Sequence, residues 1–279
     1  MKILVTGDLG KLGSLASKQL REAGHTVIGY DIRRDKREDL LRPSVLFETM
    51  TDCEMVVHLA GLPHPNKGGM ERYFEINVRG SLNVLVAAQS TGVRRVIYTS
   101  STAYYGCDIN GRLNPAYFPI DEKHPPASVE GYSVGKLEPY NQSKVMVEQL
   151  LAYFGTNRLI ETVALRLAPA NTKEQQYPKG IDWQTCTDWR RGCFFANCHP
   201  DSVADAIALA VEAKGPFWYE AFNITDKYTH KSVDVQAFLK QEYPYTIAID
   251  KQRLFESHCL FDISKAERVL GFKPNEELE

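Results

Sequence analysis

The chain has no apolar run long enough to cross a bilayer, no Cys-x-x-Cys pair, no block of like charge and no internal repeat or low-complexity tract. Without a run of about 18 apolar residues no transmembrane helix is expected, and the opening Ile3-Leu4-Val5 is too short for the core of a signal peptide. We therefore expect a cytoplasmic protein with no membrane partner. The six cysteines, at 53, 107, 186, 193, 198 and 259, lie at unpaired spacings and read as free thiols in a reducing compartment. Cys186, Cys193, Cys198 and His199 fit no common zinc spacing, so no metal site is expected. A formal net charge of -2 gives no basic face for nucleic acid, and the run from Arg33 to Asp39 mixes signs as a solvated loop does. What is left is an enzyme-sized chain: 279 residues at 43% hydrophobic content can bury the core of one nucleotide-binding domain with a smaller lobe.

The amino-terminal stretch supplies the first positive signal. Lys2 to Thr6 is a buried-strand pattern, Gly7, Gly10 and Gly13 follow, and a helical pattern runs on to about Ala23. In that context Gly7 permits a turn, Gly10 lets a pyrophosphate approach the backbone, and Gly13 packs helix against strand. A second strand, Thr26 to Tyr30, ends at Asp31, where a carboxylate bonds an adenosine ribose and repels a 2′-phosphate. This favours NAD; Arg33 and Arg34 stand close enough to host a 2′-phosphate, which leaves NADP as the alternative.

Too few residues separate Asp31 from Asp39 for a crossover helix, so the third strand of a doubly wound sheet is expected to be short or missing. Ser44 to Asp52 reads as helix. Met55 to Gly61 reads as a buried strand, with His58 a core histidine and His64, in the loop beyond, a candidate substrate contact. A long helical pattern from Met70 to Thr91 carries Asn77, expected to interrupt the helix ladder. The strand Arg95 to Thr99 then delivers Ser100, Ser101 and Thr102 to a carboxyl end, where hydroxyls point into an active-site crevice.

Tyrosine and lysine four apart on a helix share a face, so the ammonium lowers the phenol's pKa and orients a cofactor ribose. Bringing a phenol from about 10 to about 7 takes roughly 4 kcal/mol. The pattern occurs twice, as Tyr132 with Lys136 and as Tyr140 with Lys144. Pro139 would interrupt a helix begun at Tyr132 but suits one begun at Tyr140, which assigns the role to Tyr140 and Lys144.

In this order, the glycine loop, Val57-His58-Leu59-Ala60-Gly61, Asn77-Val78-x-Gly80-x-x-Asn83-x-Leu85, Ser100-Ser101-x-x-x-Tyr105-Gly106 and Tyr140-x-x-x-Lys144 resemble the extended short-chain dehydrogenase/reductase family, the NAD-dependent epimerase/dehydratases. Pro119 to Pro125, Phe261 to Lys265 and Leu270 to Pro274 extend the likeness toward the carboxyl end. The extra loop carrying Tyr132 is a departure from the family pattern.

The resemblance implies an α/β fold, a Rossmann-type doubly wound parallel sheet with a small carboxyl-terminal substrate lobe. Residues 1–167 would bind NAD and 168–279 would mainly bind substrate, with about 199–225 returning to the first domain. It implies that Ser101, Tyr140, Lys144 and Asn77 carry catalysis. Gly7, Gly10, Lys11, Leu12 and Gly13 would line the cofactor's phosphates. Asp31, Asp39 and Leu40 would lie at its adenosine end, and Leu59, Ala60, Gly61 and Pro169 along the remainder, with Asn77, Tyr140 and Lys144.

The implied reaction is hydride transfer at a carbinol carbon of a sugar or nucleotide sugar, epimerase-like. Alternatives are a uronate-dehydrogenase-like oxidation of a small sugar or sugar acid, and a cofactor-binding sensor without turnover. The stretch from Arg166 to His199 is short for a nucleotide-sugar enzyme, which keeps the small substrate open. Candidate substrate contacts are His64, Ser101, Thr102, Lys179 and Arg190, with Arg191 a further cation. By resemblance the chain forms a homodimer through the asparagine and tyrosine helices, with Val145, Leu151 and Phe154 as seam positions.

Overall fold

A computed structural model describes residues 1–63, 69–107, 112–113, 115–127, 133–134, 138–172, 182–186, 189–227, 233–244, 247–248 and 259–274. His64, Tyr132, Lys136 and Lys179 lie outside the described residues.

Six strands, β1 (Lys2–Thr6), β2 (Thr26–Tyr30), β3 (Met55–His58), β4 (Arg95–Ser101), β5 (Glu161–Leu167) and β6 (Trp218–Ile224), form one sheet in the order β2-β1-β3-β4-β5-β6. The register is parallel, pairing Ile3 with Val27 and Met55, and Met55 with Arg95. Thr162 and Ala168 donate to the carbonyls of Phe217 and Ile224, so β5 and β6 run the same way. The helices among the described residues include α1 (Lys11–Glu22), α2 (Pro43–Met50), α3 (Gly69–Tyr73), α4 (Gly80–Thr91), α5 (Pro139–Thr156), α6 (Pro200–Glu212), α7 (Val235–Glu242) and α8 (Ser264–Leu270). This is the Rossmann-type α/β fold expected from the strand–glycine–helix opening. β3 is buried at every residue and β1 at all but Lys2, as strands covered on both faces are.

Two sequence expectations acquire a physical form. Among the described residues β2 is an edge strand with no third strand beyond it, and residues 31–42 make a loop before α2. That loop is tied by Asp31 N–H to Glu38 Oε2 at 2.7 Å and by the Tyr30 hydroxyl to the Asp39 carbonyl at 2.9 Å. The Met70 to Thr91 pattern is not one α-helix: Phe74–Arg79 is a π-helical segment between α3 and α4, and Asn77 lies inside it. Such wide turns inside helices commonly mark functional positions.

The chain divides into two compact units, Met1–Ser100 with Gln142–Leu165 and Ala204–Ala221, and Ser101–Asn141 with Arg166–Val203 and Phe222–Glu279. The first has a core of Leu4, Val56, Val96, Leu85, Val147, Leu151 and Phe154. At its base Arg95 is fully buried, paired with Glu161 at 2.6 Å and donating to the carbonyls of Ala210 and Ala213. The second is built on an aromatic cluster of Phe118, Phe194, Phe238, Tyr243 and Phe261. Beside it, Arg166 donates to the Tyr105 hydroxyl at 2.8 Å, and that hydroxyl donates to Asn223 Oδ1 at 2.6 Å.

The expected dimer seam is corrected here. Val145, Leu151 and Phe154 are buried, the last two in the core of the first unit. The apolar residues that α4 and α5 expose are Leu82, Val86, Met146 and Tyr153.

Candidate active site

The glycine loop is a turn pressed against the strand beside it. Gly7 has φ of +73°, a conformation natural to glycine, and its N–H donates to the Tyr30 carbonyl at 2.8 Å. A Cβ on Gly7 would lie 2.8 Å from the Ala60 nitrogen, so the turn sits flush on the segment Leu59–Ala60. Gly10 N–H closes the turn onto the Gly7 carbonyl at 2.9 Å, and a Cβ on Gly13 would drive α1 into the Gly7 backbone. Gly10 caps α1 with no side-chain acceptor, so Lys11, Leu12 and Gly13 open the helix in an all-backbone cradle.

Asp31, one residue past β2, is buried and takes the Leu9 N–H at 3.3 Å. It also receives a forked pair of bonds from Arg33, at 3.0 Å from Nε and 2.7 Å from Nη2. These bonds are the main reason its carboxyl is held below the usual range. The sequence did not foresee this clamp. Leu40 packs on Gly80 inside the core, and its carbonyl accepts from Asn83 at 2.8 Å; Asp39 Oδ1 accepts the Leu41 N–H.

Beyond β3, the amide of Asn77 is a two-sided clamp. Its Oδ1 accepts the Leu62 N–H at 2.7 Å, while Nδ2 donates to the Leu62 carbonyl at 3.2 Å and to Ser143 Oγ at 3.1 Å. A Cβ on Gly61 would stand 3.1 Å from the same Oδ1. Asn77 therefore fixes both the loop after β3 and the residue just before Lys144. His58 is the core histidine expected: Thr6 Oγ1 accepts from Ala60 N–H and shares a hydrogen bond with His58 Nδ1 at 2.7 Å, while His58 Nε2 shares one with Ser81 Oγ at 2.9 Å. Burial pushes its pKa down to about 3, so it is neutral.

Lys144 is part-buried and donates to the Tyr98 hydroxyl at 2.9 Å and the Thr99 carbonyl at 2.8 Å, at the carboxyl end of β4. Its ammonium also lies 4.6 Å from the centre of the Tyr98 ring. Burial pulls its pKa down to about 7, opposed by the negative charge of Glu148 one turn further along α5. Glu148 is buried and held by Ser100 Oγ at 2.6 Å and the Tyr219 hydroxyl at 2.9 Å. Tyr98 and Tyr219 were not singled out from the sequence, and Ser100, read there as a crevice hydroxyl, donates to Glu148. The only signal for them was that a buried lysine–glutamate turn needs polar partners from the strands under it.

The glycine loop, Asp31, Leu59 to Gly61, Asn77 and Lys144 thus all belong to the first unit and stand just past, or against, the carboxyl ends of parallel strands. In an open α/β sheet this edge is where ligands bind. Ser101, Tyr140 and Pro169 belong to the second unit. Ser101 ends β4 and its Oγ accepts the Ala103 N–H at 3.1 Å, opening the short 3-10 turn Thr102–Tyr105, in which Thr102 is buried. Tyr140 is half-buried in the first turn of α5, which starts at Pro139. Pro169 follows β5 and accepts from Cys198 N–H at 3.1 Å. Arg190 is half-buried in the single turn Trp189–Gly192. Arg191 is committed elsewhere, paired with Glu242 at 2.6 Å and donating to the Trp183 carbonyl at 2.6 Å.

Comparison with known proteins bears on the family and the fold. The model of the NAD dependent epimerase/dehydratase family matches residues 3–177. The chain is 28% identical to UDP-glucose 4-epimerase of Mus musculus over 179 residues, 54% of this chain and 48% of that enzyme. It is 27% identical to UDP-glucose 4-epimerase of Corynebacterium glutamicum over 315 residues, 98% of this chain and 91% of that enzyme. The match thus spans about half the length of the first of these relatives. A short-chain dehydrogenase/reductase superfamily protein from Agrobacterium tumefaciens, solved with bound NAD, superposes with a TM-score of 0.72 at 18% identity. That likeness, over 100% of this chain and 94% of the other, speaks for the fold alone. Because the family match runs from β1 through the glycine loop and on past β5, over more than half of the residues, the chain belongs to the NAD dependent epimerase/dehydratase family.

Proposed function

We propose that the chain is an NAD-dependent oxidoreductase acting at a secondary hydroxyl carbon of a sugar or nucleotide sugar, epimerase-like in outcome. The observation that carries this reading is the Lys144 ammonium, held at the carboxyl edge of the sheet by Tyr98 and Thr99, one helical turn after Tyr140 on α5. The residues fit a dinucleotide, since the positions where a Cβ would fill the cradle, Gly7, Gly10 and Gly13, are all glycine. When bound, NAD supplies a hydride acceptor. Tyr140 takes the proton of the substrate hydroxyl as its carbon is oxidised and returns it on reduction. Ser101 hydrogen-bonds the same oxygen. Lys144 lowers the phenol's pKa and holds the ribose, while Asn77 fixes the residue before Lys144. In this reading residues 168–279 mainly bind substrate, and the protein works in the cytoplasm; no helix among the described residues is long and apolar enough to cross a membrane.

The names of the relatives favour a nucleotide sugar. The short path from Leu167, the end of β5, to Pro200, the start of α6, favours a smaller sugar acid, because it leaves little chain to grip a diphosphate. The deciding experiment is NADH formation on a panel of free sugars, uronic acids and nucleotide sugars, with product configuration read by NMR. Epimerised nucleotide sugar without net NADH supports the first reading, and NADH released with a uronate supports the second. No turnover with any substrate, together with tight NADH binding, would identify a sensor.

We also propose a homodimer through α4 and α5, whose exposed Leu82, Val86, Met146 and Tyr153 supply apolar surface for a second copy. Light scattering is expected to give about twice the 31.5 kDa chain mass, and Val86→Asp with Met146→Asp is expected to give the monomer. A monomeric parent chain at micromolar concentration rejects the dimer.

A further inference from the structure

Arg33 and Arg34 looked, from sequence, like ligands for a 2′-phosphate. In the folded chain each is already paired: Arg33 forks onto Asp31, and Arg34 pairs with Asp8 and with Glu38. Asp8 is the second residue of the glycine loop, and its side chain is only 6% exposed. One of its carboxylate oxygens faces Arg34, and the other, Oδ1, is buried with no hydrogen-bond partner among the described residues. The pair occupies a place made for it. A methyl group on Gly29 of β2 would run into the Asp8 carboxylate and come within 2.8 Å of Arg34 Nη2. The second pair stands over the same loop, with Arg33 Nη2 3.9 Å from where a Cβ on Gly10 would be and Asp31 accepting from Leu9 N–H.

We propose that Asp8 is a second specificity-determining carboxylate of the cofactor site: it holds Arg34 as its own counter-ion and, beside the Asp31–Arg33 pair, sets the preference for a ribose without a 2′-phosphate. The inference rests on the NAD reading given above. A carboxylate–guanidinium pair is locally neutral and satisfied. A phosphate dianion entering there must pull Arg34 away and leave a buried carboxylate uncompensated, or bind without a cation. A ribose diol brings hydroxyl donors instead, and a buried carboxylate oxygen without a partner is an acceptor for such a donor. Of the loop's seven positions from Gly7 to Gly13, Asp8 is the only acidic one.

The test is equilibrium binding of NADH and NADPH, by fluorescence or calorimetry, to the parent chain, to Asp8→Ala, and to Asp8→Ala with Arg34→Ala. The parent is expected to prefer NADH. Asp8→Ala is expected to tighten NADPH by about tenfold, the size of one charge-assisted bond, and to weaken NADH by roughly threefold to tenfold, because the ribose diol loses an acceptor. Adding Arg34→Ala is expected to cancel that gain. An unchanged NADPH affinity in Asp8→Ala, with NADH still bound, overturns the proposal, as does a gain that persists without Arg34. If Asp8→Ala melts too low to titrate, Asp8→Asn keeps the volume and removes the charge, and a smaller gain in NADPH affinity, at least about threefold, is required of it. A parent chain that binds neither nucleotide overturns the cofactor reading itself, and a parent that prefers NADPH overturns the NAD preference on which this inference stands.

Discussion

Replacing Tyr140 with phenylalanine is expected to lower turnover by at least about two orders of magnitude, the usual size for a lost general acid/base. The substitution removes one hydroxyl from the first turn of α5 and leaves the helix start at Pro139 and the packing of the ring in place. NADH affinity, measured by fluorescence, is therefore expected to change by less than about threefold, and the loss to fall on the turnover number rather than on KM. The phenol needs help to act near neutral pH, roughly 4 kcal/mol of differential stabilisation. Lys144, one turn later, is the charge in place to give it. Tyr132→Phe is the control, because Tyr132 precedes a lysine at the same spacing but cannot begin a helix that continues through Pro139. A large loss at Tyr132 with a small one at Tyr140 would transfer the catalytic role and the helix register to the other pair.

Much of the fold was legible because single residues leave the backbone few choices. The run Ile3-Leu4-Val5 before Gly7 admits little besides a buried strand entering a left-handed turn, and the structure has both. The short Asp31 to Asp39 interval forbade a crossover helix, and β2 became the sheet edge. Asn77 was expected to disturb its helix, and it lies in a π-helical segment. The partners it clamps, Leu62 and Ser143, come from a loop and a helix far away in sequence, and a reading along the chain has no access to them.

The exposed faces were harder. α5 is apolar at Val145, Met146, Val147, Leu151, Tyr153 and Phe154, too many for one stripe, so periodicity alone could not say that Val147 and Leu151 face the core while Met146 and Tyr153 face outward. The charged loop hid its logic for another reason. Asp31 read as a ribose ligand and Arg33 and Arg34 as the alternative phosphate hosts, yet in space Asp31 with Arg33 and Asp8 with Arg34 form two neutralised pairs. Which arginine meets which carboxylate depends on the curvature of residues 31–35, set by the Arg34 N–H bond to the Asp31 carbonyl at 2.8 Å.

Lys144→Met is expected to cost two or more orders of magnitude in turnover and, independently, to leave a signature in stability against pH. The ammonium donates to Tyr98 and Thr99 from a part-buried position, and burial lowers its pKa to about 7. In the unfolded chain the same lysine titrates near 10.4. Below about pH 7 both states carry the proton, and the cost of burying the charge stands in full. Between about pH 7 and pH 10 the folded chain has released a proton that the unfolded chain still binds, so this group makes stability rise with pH across that window. Methionine does not titrate, and the variant lacks that rise. The stability of the parent relative to Lys144→Met, from denaturant melts at pH 7, 8, 9 and 10, is therefore expected to grow by about 1–2 kcal/mol. Solvent contact at this part-buried residue keeps the gain below the full value of about 1.36 kcal/mol for each pH step of one across the window. Glu148, held by Ser100 and Tyr219 in both proteins, is common to the comparison and drops out of the difference. A difference that stays flat over those four pH values would mean that Lys144 remains charged throughout. Its ammonium would then sit in a far more polar setting than Tyr98 and the Thr99 carbonyl provide.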